Sequence, residues 1–281
     1  MRLRRIPSRI GDAVCCAPLV ESPTQGRPNA SALGLSIVIP VYNEGENVIP
    51  TLTGIYERVS TRPFEVLVVH DFDEDTTVPT VERLRPSMPG LRLHRNNLGR
   101  GALNAVKTGL QSASAPYVLV MMADGSDEPD VIDTMVDKAR QGADVVSGSR
   151  YMPGGRQFGG PLLKRTLSRC AGLSLHWLGG IPTHDSTTNF RLYSRRLLDA
   201  VPIESRAGFE LGLELTVKAH LLGMRVAEVP ATWRDRTLGE SRFRMREWIP
   251  HYLRWYWLGL YGRLSRRKRR ELKRRTDAYQ R

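Results

Sequence analysis

Three cysteines in 281 residues, Cys15, Cys16 and Cys170, are too few and too unevenly placed for a disulfide framework or a zinc site, which points to a reducing compartment. No apolar stretch reaches the ~20 residues that a membrane-spanning helix needs. The arginine-rich start, with Arg2, Arg4, Arg5 and Arg9, has no signal-type apolar core before Asp12, so secretion is not expected. No internal repeat is present, which excludes a solenoid. Acidic charge is scarce only at the ends: residues 1–34 hold five arginines against two acids, and 242–281 hold fourteen basic residues against three acids. The net charge of +13 therefore sits at the termini, and 35–241 is close to neutral at −1. A neutral body argues against a nucleic-acid groove across the main domain, so no nucleic-acid partner is expected. Pro23, Gly26, Pro28 and Gly34 mark 1–34 as a disordered basic leader.

What the chain does have, from Leu35 onward, is short apolar runs alternating with amphipathic segments. That is the pattern of an α/β domain with a mainly parallel sheet flanked by helices. Residues 36–40 read as the first strand, 46–60 as the helix after it and 64–70 as the second strand. A helix from 77, a strand over 91–94, a small-residue helix over 101–111, a strand from Tyr117, a helix over 131–141 and a strand over 144–148 continue the alternation. Glycine pairs at 154–155 and 159–160 mark a long connection of the kind that orders around a ligand. Helices over 163–178, 197–200 and 211–222 and strands over 190–193 and 225–230 follow, the last ending in Pro230 as an edge strand can.

The run Tyr117-Val-Leu-Val-Met-Met-Ala stops abruptly in Asp124-Gly-Ser-Asp127-Glu-Pro-Asp130. A continuous apolar run between Pro116 and Gly125 reads as an interior parallel strand. Ligands of open α/β sheets bind beyond the carboxyl ends of such strands. Asp124 and Asp127 are hard oxygen ligands of the kind taken by a divalent cation bridging a diphosphate. Acids in this position also cap a following helix. Two more strands end in polar clusters, at Asn43-Glu44 and at Asp71-Phe-Asp73, so three clusters are expected to meet on one rim.

Taken in order, Ser36-Ile-Val-Ile-Pro40-Val-Tyr42-Asn43-Glu44, Asp71 after the second strand and the Asp124 turn resemble the family 2 glycosyltransferases of the GT-A fold. Gly148-Ser-Arg150-Tyr151, Asp185-Ser-Thr-Thr-Asn-Phe190-Arg191 and Asp235-Arg236-Thr-Leu-Gly239-Glu-Ser241-Arg242 are similar to the dolichol-phosphate mannose synthase and polyprenyl-phosphate glycosyltransferase branch. The resemblance makes 35–245 a GT-A domain. It implies that Pro40, Tyr42, Glu44, Asp71 and Asp124 line a nucleotide pocket, and that Asp124 binds Mg²⁺ or Mn²⁺ with Ser126 or Asp127 assisting. Arg150, Arg191, Arg236 and Arg242 match phosphate-binding positions, which suit the bidentate guanidinium. Glu214 matches a carboxylate that orients the sugar or the basic cluster, and Asp124, Asp127, Arg191 and Glu214 become the catalytic candidates. The implied reaction is metal-dependent, inverting transfer of a hexose, mannose before glucose, from a nucleotide-sugar donor to a polyprenyl or dolichyl phosphate. A different lipid or glycan acceptor, or a non-catalytic nucleotide-sugar-binding module, stays open. Two departures bear on this: Met122 replaces the first acid of the usual acid-Ala-acid triplet, and His70 replaces the first of a usual acid pair.

The tail adds Trp248-Ile-Pro-His-Tyr252-Leu-Arg-Trp255-Tyr256-Trp257-Leu-Gly-Leu-Tyr261, whose amphipathic aromatics suit a headgroup boundary. Its 14 residues, interrupted by Pro250 and Arg254, are too short to span a bilayer. A polybasic run over 263–275 follows. Residues 246–281 are thus expected to lie on an anionic membrane surface, peripheral to its cytoplasmic face. A helix packed on the body with a solvated basic tail is the alternative.

Overall fold

The computed structural model describes residues 33–206, 208–235, 245–262 and 264–280, so residues 1–32 of the expected leader 1–34, Arg236 and Arg242 lie outside the described residues. Mainly apolar runs form β1 (Leu35–Pro40) and β2 (Phe64–His70), in which every residue is buried, including Ser36 and Glu65, which hydrogen-bond each other at 2.7 Å. With β3 (Leu91–Arg95), β4 (Tyr117–Val120), β5 (Val145–Ser149), β7 (Arg191–Ser194) and β8 (Val226–Pro230) they make one sheet, ordered β3-β2-β1-β4-β7-β5-β8. Pairing is parallel except at β7, which lies antiparallel between β4 and β5. Pro230 ends an edge strand, where no neighbour needs its missing N–H. A separate pair, β6 (Arg156–Phe158) with β9 (Thr232–Arg234), ties the glycine-rich connection to the chain after β8. At three residues each, these two strands are too short to show a periodicity in the sequence.

Helices cover both faces. Val48, Leu52 and Ile55 of α1 (Val48–Arg58), Val81 of α2 (Thr77–Leu84), and Ile132, Met135 and Val136 of α4 (Ile132–Arg140) pack with Ile37, Ile39, Val66, Val68 and Leu119 on one side. Leu103 and Leu110 of α3 (Ala102–Ser112), Leu197 of α6 (Arg195–Ala200) and Leu211 and Leu215 of α7 (Leu211–Leu221) pack with Val38, Leu67 and Val120 on the other. The small residues of α3 let it lie close against β1: a Cβ on Gly109 would come within 2.2 Å of Val38 Cγ1. Gly109→Ala should therefore lower stability by roughly 1–3 kcal/mol, because overpacking outweighs alanine's ~1 kcal/mol helix advantage. A urea midpoint at or above wild type would contradict that packing.

The apolar run from Tyr117 leaves the sheet after Val120, earlier than its composition suggests, and turns into the Asp124 loop. The aromatic tail segment forms α8 (Met245–Gly262), and one side of it packs on the body. Trp255 is 2 % exposed among Leu175 of α5 (Leu162–Trp177), Ile181, Leu213 and Val217. Buried Lys218 lies 5.0 Å from the Trp255 ring centroid, and its Nζ donates to Glu214 Oε1 and the Pro202 carbonyl, each at 2.6 Å. The polybasic run is α9 (Arg266–Tyr279), docked through Leu272 and through Arg275, which reaches Glu204 at 3.4 Å. The tail is thus neither free nor wholly buried, because Ile249, Leu253, Trp257 and Tyr261 remain exposed.

Candidate active site

The carboxyl ends of β1, β2, β4 and β5 open on one rim, and antiparallel β7 begins there, with Arg191 opposite Val120 and Ser147. Beyond Pro40, Tyr42 is half exposed, and its ring meets Phe72 edge-on with centroids 5.6 Å apart. The Arg100 guanidinium lies 5.1 Å from the Phe72 ring centre. Asn43, at φ 52°, turns the chain so that its N–H donates to Asp75 Oδ2 at 2.9 Å and the Glu44 N–H donates to Thr77 Oγ1 at 3.0 Å. This ties the Tyr42-Glu44 turn to the start of α2. Asp71 is buried at the rim and accepts from Asn96 Nδ2 at 2.7 Å and from the Gly101 N–H at 2.8 Å, so it holds the 96–101 loop in place. His70 shapes the same turn, its Nδ1 lying 3.0 Å from the Phe72 carbonyl.

The Asp124 turn rests on α1. Thr51 Oγ1 donates to the Ala123 carbonyl at 3.0 Å and accepts from the Gly125 N–H at 3.1 Å. Gly125 has φ 69°, a conformation that favours glycine. The Ser126 N–H donates to Asp124 Oδ1 at 3.1 Å, while the Ser126 carbonyl accepts from Arg234 N at 2.9 Å. At 2 % exposure Ser126 lies beneath this loop, beside Asp124 and Asp127. Asp127 is buried, with Oδ2 3.5 Å from the Met122 N, and pairs in an isolated bridge with Trp233. Burial, then the charge of Asp124, pushes the Asp127 carboxyl up to about 7. Two acids that repel each other across a short turn fit a hard divalent cation, whose charge would relieve the repulsion. Among the described residues no three His, Cys, Asp or Glu groups converge as a metal site, so such a cation would complete its shell with diphosphate oxygens and water.

A carboxyl with a raised folded pKa binds its proton more tightly folded than unfolded. Its stability cost is absent below the ordinary 3.8, grows with pH and is complete above about 7. The rise corresponds to as much as about 4 kcal/mol. In chelator, Asp127→Asn should therefore melt above wild type at pH 8 and close to it at pH 4. Divalent cation with nucleoside diphosphate should then stabilise wild type more than the variant. A constant gap across that pH range would count against the buried charge.

Arg150, just past β5, is gripped by Asp185 in a bidentate pair, Nε to Oδ2 at 2.6 Å and Nη2 to Oδ1 at 3.0 Å. Nη2 also donates to Ser168 and Thr187 at 3.1 Å each. Burial alone would push Asp185 up, but the Arg150 charge and hydrogen bonds hold it below the ordinary carboxylate range. Nη1 has no protein partner among the described residues, and the charges of Arg150 and Asp127 feel each other across the rim. Asp185 was not among the expected site residues; its signal was its position ahead of Ser-Thr-Thr-Asn-Phe190-Arg191.

Two expectations are corrected. Arg191 is fully buried; its guanidinium donates to the Gly212 carbonyl, to Thr216 Oγ1 at 2.7 Å and to the Asp185 carbonyl at 2.9 Å. It braces the Asp185 loop against α7 and is not open to a phosphate. Glu214 is also fully buried and accepts from the Glu204 and Ser205 N–H groups at 2.6 and 2.7 Å, from the Ser205 hydroxyl and from Lys218. It anchors residues 202–205, with all of these partners inside the protein.

Residues 36–201 match the family model described as glycosyl transferase family 2. The polyprenol monophosphomannose synthase of Mycolicibacterium smegmatis is 33 % identical, with 88 % of this chain covering 93 % of that protein. The undecaprenyl-phosphate mannosyltransferase of Micrococcus luteus is 32 % identical over 81 % of this chain and 98 % of that protein. Among solved structures, glucosyl-3-phosphoglycerate synthase of Mycobacterium tuberculosis with phosphoglyceric acid superposes at TM-score 0.59, at 19 % identity over 85 % of both chains. Its complex with Mn²⁺, UDP and glucosyl-3-phosphoglycerate gives 0.57, over 85 % of this chain and 86 % of that one. The likeness is one of fold, a GT-A sheet carrying the same layers. With its rim of strand-end acids on that sheet and a family match over most of the α/β body, the chain belongs to glycosyl transferase family 2 and is a glycosyltransferase.

Proposed function

We propose that the chain moves mannose from GDP-mannose to a polyprenyl phosphate, with inversion at the sugar C1. The observation that carries this reading is the opposition at one rim of Asp124 and Asp127 to the Arg150–Asp185 pair, next to the Tyr42–Phe72 aromatic edge. An acidic turn and a fixed guanidinium complement a cation-bearing diphosphate, and an aromatic edge suits a nucleobase. The relatives named as mannose-transferring enzymes on polyprenol or undecaprenyl phosphate support the sugar and the acceptor.

The acceptor phosphate is already anionic, so its oxygen attacks C1 without a general base. The new C1–O bond forms as the bond to the nucleoside diphosphate breaks, and the electron pair leaves with the diphosphate oxygen. Asp124 and Asp127 would hold Mg²⁺ or Mn²⁺, which supplies charge neutralisation to the leaving group when bound. Arg150, oriented by Asp185, presents Nη1 to the departing diphosphate, and Tyr42 and Phe72 flank the base. Catalysis is then chiefly alignment and electrostatic stabilisation.

A lipid acceptor needs the enzyme at a membrane. No described helix is long and apolar enough to cross one. Exposed Leu163, Leu167 and Trp177 on α5 and Leu253, Trp257 and Tyr261 on α8 fit peripheral attachment at the cytoplasmic face. The test is incubation with labelled GDP-mannose or UDP-glucose, divalent cation and polyprenyl phosphate. Label should enter the organic phase from GDP-mannose, and dephosphorylated polyprenol should accept none. Label from UDP-glucose alone would reassign the sugar, and transfer to polyprenol itself would refute base-free attack.

A further inference from the structure

At the opposite edge of the sheet from the catalytic rim, where α7 ends and β8 begins, α9 leaves an open groove of about 620 Å³. Its floor is Ala200, Leu221, Leu222 and Met224, and one wall is the α9 face bearing Arg269, Arg270 and Lys273. These cations sit at i, i+1 and i+4 on one side of the helix, and all are exposed. None has an ion-pair partner among the described residues, whereas their neighbours Arg274 and Arg275 are paired with Glu271. Thr276, also on the wall, is 7 % exposed, and its buried Oγ1 has no hydrogen-bond partner among the described residues. A buried hydroxyl without a partner costs stability unless something fills its bonding capacity. Asp277 at the same wall leaves the groove net positive.

We propose that this groove binds one anionic phospholipid, with its phosphate on Arg269, Arg270 and Lys273, its glycerol-ester oxygens within reach of the Thr276 hydroxyl, and its first acyl carbons along Leu221, Leu222 and Met224. The combination selects an anionic amphiphile: cations alone suit a free phosphate, and an apolar floor alone suits a neutral chain. The volume is within the ~300–1,000 Å³ range of ligand sites. The chain's own leader is a poor occupant, because residues 1–32 carry five arginines against two acids. The proposal rests on the groove alone and not on the transferase reading. It adds a second lipid contact, remote from the rim, that would fix the tilt of the enzyme on a bilayer.

The test is calorimetric titration of the full chain with monodisperse dihexanoyl phosphatidylglycerol, with dihexanoyl phosphatidylcholine and glycerol 3-phosphate as separate arms. Saturable one-to-one binding of the anionic lipid is expected, at least tenfold tighter than either of the others. R269Q/R270Q/K273Q should weaken it at least tenfold, and R267Q/K268Q/R274Q, which removes the same charge outside the groove, less than twofold. Thr276→Val should weaken it severalfold while the lipid-free variant melts at or above wild type, because the unpartnered buried hydroxyl is gone. Equal losses from the two triple variants would show diffuse charge, and glycerol 3-phosphate binding as tightly as the lipid would show a free-phosphate site. Either result, or no saturable binding, overturns the proposal. Transfer to polyprenyl phosphate in neutral detergent separates the two readings: the groove variant should retain it, and its loss there would place the groove on the acceptor's route and refute a separate site.

Discussion

Asp124→Asn is expected to lower transfer by about a thousandfold while leaving the fold intact. Asp124 stands at the tip of a turn held from below by Thr51 and Gly125, and asparagine keeps the acceptor for the Ser126 N–H. What the substitution removes is charge at the mouth of the site. A carboxylate that holds a cation on a leaving diphosphate contributes several kcal/mol of transition-state stabilisation, and about 4 kcal/mol corresponds to about a thousandfold. The melting temperature in chelator should stay within a few degrees of wild type. The stabilisation that Mn²⁺ with nucleoside diphosphate gives wild type should largely vanish. Activity within tenfold of wild type would mean that Asp127 alone suffices or that the Asp124 turn is not the diphosphate site.

The Arg150–Asp185 pair should show the second large effect, and in two observables that can be separated. Its side chains are 12 % and 0 % exposed, so Asp185→Asn leaves a guanidinium buried without its counter-charge. Breaking a buried pair in this way costs about 3–5 kcal/mol. For a chain of this size that is a fall in melting temperature of roughly 10 °C or more. The double variant R150M/D185L removes both charges and should recover much of that stability, since apolar replacement of a whole buried pair is often neutral. Transfer should not recover, because the donor aimed at the diphosphate is gone; the loss of one such donor is worth about 10²–10³ in rate. A double variant that regains both stability and activity would make the pair purely structural. Arg150→Lys should also be poorly active, since an ammonium cannot reproduce the fork that Asp185 orients.

The parts of the fold that sequence reveals are those governed by local chemistry. The valine-rich run 64–70 reads as β2, and the helix starting at 77 begins where Thr77 stands. The direction of β7 was not legible. Whether a strand enters a sheet parallel or antiparallel depends on where the chain returns from, and residues 150–190 return it to the rim rather than to the far edge. The same gap explains the misplaced arginine. Sequence shows a guanidinium beside a family motif, but only the packing of α7 shows that Arg191 meets the Gly212 carbonyl and Thr216, while Arg150 stays at the rim. Glu214 and Lys218 lie one turn apart on α7, and only their burial in the packed domain makes them an anchor for residues 202–205. In α8 the aromatic composition was visible, but not its division into a buried Trp255 and an exposed Trp257, which follows from the position of α5 and α7 beneath it.

The proposed reaction is direct displacement of a nucleoside diphosphate by an anionic lipid phosphate at the Asp124–Arg150 rim. The measurement that reaches it most directly is the structure of the lipid product made from GDP-mannose, read by mass and by the one-bond carbon–hydrogen coupling at the sugar C1. The expected product is a mannosyl phosphodiester of the polyprenol with the C1 configuration opposite to that of the donor. Retained configuration, or mannose linked anywhere but the acceptor phosphate, would contradict it.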